Sequence, residues 1–182
     1  MKIKEITNYL ETVAPLSYQE EYDNCGLLVG DKNSIVKGVL VTLDCTEAII
    51  NEAIETGCNL IIAHHPIIFK GLRKLNGSNY IERTVIKAIK NNIAIYAIHT
   101  NLDNVHNGVS AKIAEKLCLK NCKILSAKHE KYGSNVGSGI FGELAELVES
   151  KIFLKNLKDI LKTDCIRYTL LVKSHVKKVA VC

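Results

Sequence analysis

The sequence predicts an α/β fold: a largely parallel sheet flanked by helices, with a second, smaller α+β lobe. Three observations carry this. Apolar, β-forming runs at 36–43, 60–69 and 93–98 alternate with segments of helical periodicity, and a β-α-β order requires a right-handed crossover and parallel strands. The second and third runs empty into ligand-competent residues, His64-His65 and His99-Thr100-Asn101-Leu102-Asp103, and neighbouring parallel strands bring their carboxyl ends to one edge. Beyond about residue 121 the pattern becomes β-β-α-β. The expected division is therefore a site domain over 1–121 and an α+β lobe over 122–182.

In chain order, Ile3, Ile6, Leu10 and Val13 share one face and Pro15 follows, so the chain opens with an amphipathic helix. Residues 18–31 form a polar loop feeding a short strand at Leu27-Leu28-Val29-Gly30. Asp23 and Asn24, at a Gly-marked turn, fit an Asx-turn first and the lining of a site second. A strand over 36–43 ends at Asp44. Ala48, Ile49, Ala53 and Ile54 then mark a helix over 46–55 that stops at Gly57. The run from Leu60 to Phe69, halted by Pro66, is an interior strand. After it, 70–78 is a polar, Gly-containing loop over the site. Asn79-Tyr80-Ile81-Glu82 is a capping-box pattern that opens a helix through Lys90, with Ile81, Val85, Ala88 and Ile89 turned inward. The strand at 93–98 is followed by a helix over 108–117. In the second lobe, 122–127 and 140–147 are strands either side of a Gly/Ser/Asn-rich turn region at 128–139. Ser150 is the expected cap of a helix that turns Phe153, Leu154, Leu157, Ile160 and Leu161 inward. Two more strands are expected at 165–172 and 177–181.

With 182 residues, 47% of them hydrophobic, the chain can bury a sizeable core. No apolar run approaches the ~20 residues of a membrane span, and the N-terminus lacks the apolar segment of a signal peptide; a soluble cytoplasmic protein with no membrane partner is expected. Seven cysteines, odd in number and without a C-x-x-C pair, argue against a disulfide framework or a zinc knuckle and are expected mainly as small core residues. The net charge of +5 divides into −2 over residues 1–111 (10 basic, 12 acidic) and +7 over 112–182 (14 basic, 7 acidic). Little aromatic interleaving accompanies those lysines, so a solvated surface is the first expectation and nucleic-acid binding a secondary one.

The chemistry centres on the histidines. Neighbouring side chains of an extended strand point to opposite faces, so His64 and His65 suit two ions better than one. A carboxylate such as Asp103 can help hold the pair, and two ions ~3.5–4 Å apart activate a water between them. Mixed N and O ligation suits two divalent ions, with Zn, Mn, Fe, Co and Ni equally admissible. An ordinary hydrogen-bonded His pair is the bland alternative, and the second strand end with His99 and Asp103 weighs against it. His106, His129 and His175 lie in polar stretches and are expected at the surface. There is no G-x-S-x-G elbow and no Gly-rich phosphate loop.

The segments Asp23-Asn24-Cys25-Gly26-Leu27-Leu28-Val29-Gly30, Ala63-His64-His65-Pro66-Ile67-Ile68-Phe69, His99-Thr100-Asn101-Leu102-Asp103 and Val179-Ala180-Val181-Cys182 together resemble the Nif-three-like dinuclear-metal family, the GTP cyclohydrolase 1 type 2 homologues. The resemblance covers the whole chain. It implies a Nif-three-like fold, a homohexameric toroid and two divalent ions per subunit. His64 and His65 would be metal ligands of different ions, Asp103 a further ligand, and His99, the catalytic candidate, a proton carrier or an outer-shell group beside them. The family pattern continues past the Val-Ala-Val-Cys strand with a Gly-Gly turn and a later His and Glu, so this chain is expected to be C-terminally shortened, with an exposed sheet edge and partial metal occupancy. The expected function is metal-dependent hydrolysis, through metal-activated water, of a small nucleotide-like or phosphate-bearing substrate. A non-catalytic metal-binding ring protein with a regulatory or partner-binding role is the alternative.

Overall fold

A computed structural model describes residues 1–128, 132–133 and 135–182; His129 and part of the expected 128–139 turn region lie outside the described residues. The chain forms two compact units, Met1–Leu102 and Asp103–Cys182, each described by itself.

The first unit opens with helix α1 (Ile3–Val13), where Glu5 reaches back to the amide of Lys2 and Ile3 is buried. Four short strands follow: β1 (Gly26–Val29), β2 (Val39–Thr42), β3 (Leu60–Ala63) and β4 (Ala94–Ala97). Helix α2 (Glu47–Glu55) connects β2 to β3, and α3 (Tyr80–Lys90) connects β3 to β4. Both helices are capped through side chains. Thr46 accepts from the Ile49 amide and Asn79 from the Glu82 amide, satisfying amides that a helix start leaves unpaired.

The strand order is β1-β4-β3-β2. The crossovers make β2, β3 and β4 parallel, as expected, whereas β1 runs antiparallel to β4 at the margin of the sheet. Alternation sends Ile61, Ala63 and Ile95 to one face, where they pack with Ile50 and Ala53 of α2 and Val85 and Ala88 of α3. Gly30, just after β1, has φ +102° and lies where a Cβ would come within 2.7 Å of the Ala94 Cα. Only glycine fits that turn beside β4.

The register decides what the sheet can present. Thr42 pairs with Ala63, Ala63 with Ala97, and Ala97 with Gly26. The carboxyl ends of β2, β3 and β4 and the amino end of β1 are therefore level along one edge. The ladder continues past the strand ends, because the amides of His64 and His65 donate to Thr42 O at 3.1 Å and Leu43 O at 3.0 Å.

The second unit holds an antiparallel sheet, β5-β6-β7, of β5 (Lys120–Ala127), β6 (Gly137–Glu149) and β7 (His175–Val181). Helix α5 (Val109–Lys116) packs here through Ala114, with Leu117, Leu119 and Ile140, so it shares a core with β6. Between β6 and β7 lies α6 (Ser150–Leu161). The short helix α4 (Thr100–Asp103) leads from β4 into this unit.

Three expectations are corrected. Residues 165–172 form no strand: β6 already has β5 and β7 on its two sides, and without a partner the β-forming Tyr168, Leu170 and Val172 stay exposed. Glu149 occupies the cap position of α6, and Ser150, its first residue, instead donates its hydroxyl to Lys173 O at 2.7 Å. Of the cysteines, Cys45 alone is buried, while Cys25, Cys58 and Cys122 are half-buried and Cys118, Cys165 and Cys182 exposed.

Candidate metal centre

Each polar group at the level edge is delivered by a different strand: Asp44 after β2, His64 and His65 after β3, His99 after β4, and Asp23 just before β1. They form a row in strand order. His65 Nδ1 lies 2.8 Å from Asp44 Oδ1, and His99 Nδ1 lies 3.0 Å from Asp23 Oδ1. Between these pairs, His64 Nδ1 lies 2.9 Å from Ile98 O. The ring centroids of His64, His65 and His99 are 4.9, 5.1 and 5.4 Å apart in pairs. One ring nitrogen of each lies within 4.8 Å of the others.

These partners set the tautomers. A carbonyl or a carboxylate oxygen only accepts, so each Nδ1 carries the hydrogen and each neutral ring presents its lone pair at Nε2. An imidazole held by an acceptor on one nitrogen and basic on the other is the usual state of a metal-ligating histidine. Imidazoles in this state and at this spacing suit divalent ions that accept nitrogen ligands.

Asp23 is the most constrained group of the row. Its side chain is 0% exposed, against 19% for His99. Besides His99 it accepts from the Thr100 amide at 3.0 Å, the Thr100 hydroxyl, the Asn24 amide at 2.7 Å and the Cys25 thiol at 3.2 Å. Burial by itself would raise its pKa, but the donors from His99, Thr100, Asn24 and Cys25 outweigh it and hold the carboxyl well below the usual carboxylate range. The Cys25 thiol goes the other way: burial, reinforced by the Asp23 carboxylate, pushes it up to about 11, so it stays a protonated donor. Next to Asp23, the Asn24 side-chain amide donates to Ile68 O at 2.6 Å, and Tyr22 meets Phe69 with centroids 6.2 Å apart.

Of the residues singled out in the sequence, His64, His65 and His99 are brought together, and Asp103 is the last residue of α4, four positions beyond His99. Asp44 was not singled out. The signal was available, since it follows a parallel strand as His64 follows the next one. Asp23 serves the site rather than only its own turn.

Fold and site together define an α/β protein with a candidate metal-binding histidine cluster at the carboxyl edge of its sheet. The comparisons with known proteins agree. A model of the Duf34/NIF3 (NGG1p interacting factor 3) family matches residues 1–182, and the chain belongs to that family. A GTP cyclohydrolase 1 type 2 homolog of Clostridium acetobutylicum is 39% identical over 168 residues, covering 92% of this chain. The chain spans 62% of that relative's length. Among solved structures, Staphylococcus aureus hypothetical protein SA1388 superposes with a TM-score of 0.89 at 31% identity, covering 99% of this chain and 71% of its own. A Bacillus cereus protein related to NIF3 gives 0.90 at 25% identity, with coverages of 99% and 76%. No helix among the described residues is long and apolar enough to cross a membrane.

Proposed function

We propose that the chain carries the histidine row of a metal-dependent hydrolase that acts on a small nucleotide-like or phosphate-bearing substrate. The observation that supports this best is the convergence of three imidazoles, each with an oxygen acceptor on Nδ1. On this reading His64 and His65 hold two divalent ions, and Asp103 is a further oxygen ligand. A divalent ion bound there supplies Lewis acidity, polarising a substrate oxygen and acidifying water.

The chain's own groups do the rest. His99 takes a proton at Nε2 from the attacking water, and the Asp23 carboxylate behind Nδ1 stabilises the imidazolium that results. Asp44, behind Nδ1 of His65, orients that ring as a ligand at the open end of the row. Assembly as a homohexameric ring completes the proposal.

Metal analysis and turnover test it. Wild-type chain is expected to bind divalent metal and to release product from nucleotide substrates only when loaded. His64→Ala, His65→Ala and Asp103→Ala are expected to lose bound ion stepwise, and unchanged metal content in all three would sink the assignment. A non-catalytic metal-binding role is the second reading, favoured by the openness of the site, where His65 and Asp44 side chains are 47% and 60% exposed. Saturable metal binding with no turnover across a nucleotide screen would select it.

A further inference from the structure

The segment that follows the paired histidines is cationic. From residue 56 to residue 81 the sequence holds Lys70, Arg73 and Lys74 and not one Asp or Glu. All three cations lie in the exposed loop at 70–78. By contrast, Arg83 in the helix that follows pairs with Glu47 at 2.8 Å. Among the described residues, no ion pair joins Lys70, Arg73 or Lys74 to a carboxylate.

The loop is fastened at both ends and open between them. At its start, Asn24 holds Ile68 O and Tyr22 packs on Phe69. At its end, the Asn76 and Ser78 amides donate to Glu82 at 3.1 and 2.9 Å. Among the described residues, 70–75 make no backbone–backbone hydrogen bond, and a Cβ at Gly71 would meet nothing within 4 Å. Side-chain cations and the backbone of 70–75 are thus open to solvent and accessible to a ligand.

The start of the loop is tied to the histidine row itself. Asn24 grips the loop while Asp23, the residue before it, grips His99. Lys70 follows His65 by five residues, at most roughly 18 Å of extended chain.

We propose that the loop at 70–78 is the anion-binding element of the metal centre, with Lys70, Arg73 and Lys74 taking the phosphate groups of the substrate. This rests on the reading of the histidine row as a substrate-processing metal site. A guanidinium matches two phosphate oxygens at once, and the flanking ammonium groups neutralise the charge that remains. A polyphosphate chain of a nucleotide answers three uncompensated cations better than a neutral nucleoside does.

The probe is inorganic pyrophosphate, titrated calorimetrically into metal-loaded chain at low salt, with metal content and melting temperature followed in parallel. The Arg73→Gln/Lys74→Gln double variant is expected to bind pyrophosphate at least about tenfold more weakly, the loss of one or two charge-assisted hydrogen bonds, with metal content unchanged. Lys70→Glu is expected to weaken it further, and Arg73→Lys/Lys74→Arg to retain most of the affinity. Wild-type affinity in the double variant overturns the proposal, whether or not metal is bound. If instead the variants lose pyrophosphate while no nucleotide is turned over, the hydrolase reading fails and the anion site stands.

Discussion

The two ends of the histidine row use one contact in two environments. Asp23 with His99 and Asp44 with His65 are both carboxylate–Nδ1 pairs at about hydrogen-bond length, 3.0 and 2.8 Å. The first carboxylate is 0% exposed and accepts from four further donors, whereas the second is 60% exposed. A buried pair that loses one partner strands the donors it served, while an exposed pair exchanges its partner for water. Equal distances therefore carry unequal energies, and burial decides which carboxylate is structural.

Asp23→Ala breaks the comparison most strongly. It leaves the Thr100 and Asn24 amides and His99 without their acceptor and is expected to destabilise the chain by about 3 kcal/mol, measured by urea unfolding. A loss below about 1 kcal/mol would mean that water replaces the carboxylate there.

Glu82 serves as a control without histidine. Donors from Ser78, Asn76, Gly77 and Asn79 hold its pKa below the ordinary 4.5. A depressed carboxyl contributes stability above its unfolded pKa and loses it as pH falls through the folded value. Glu82→Gln is thus expected to be less stable than wild type at pH 7, with the gap closing below pH 4.5; a gap independent of pH would show that shape and not charge matters at this cap.

Asp44→Ala is the smallest effect on folding, within about 0.5 kcal/mol. Its consequence is expected in metal affinity, weakened roughly 10-fold through the loss of the acceptor behind His65, which equilibrium dialysis reads directly. Unchanged affinity would reduce Asp44 to a surface carboxylate.

Much of the first unit was legible because strand and helix boundaries leave local marks: Asn79 as a cap, Pro66 after the apolar run, helical spacing in α1, α2 and α3. His64, His65 and His99 were legible for the same reason, each lying at the end of a strand. The pairings were not, since Asp23 meets His99 across 76 residues and Asp44 meets His65 across 21. Nothing local marks such a pair; the register of four strands creates it. The antiparallel course of β1 was likewise invisible, although it is what carries Asp23 to the edge. In the second unit β propensity misled at 165–172, because a strand needs a neighbour as well as a suitable sequence.

The level edge also acts as a ruler. Adjacent strands of any sheet lie about 4.8 Å apart, and the His64 and His99 rings, issuing from adjacent strands, have centroids 5.1 Å apart. The separation of these two imidazoles is therefore inherited from backbone hydrogen bonding and not tuned by side-chain packing. Substitutions in the core beneath would alter how tightly the sheet is held while leaving that spacing almost untouched. A slip of one residue between β3 and β4 would abolish it outright, so correct strand pairing during folding is at the same time the step that assembles the candidate centre.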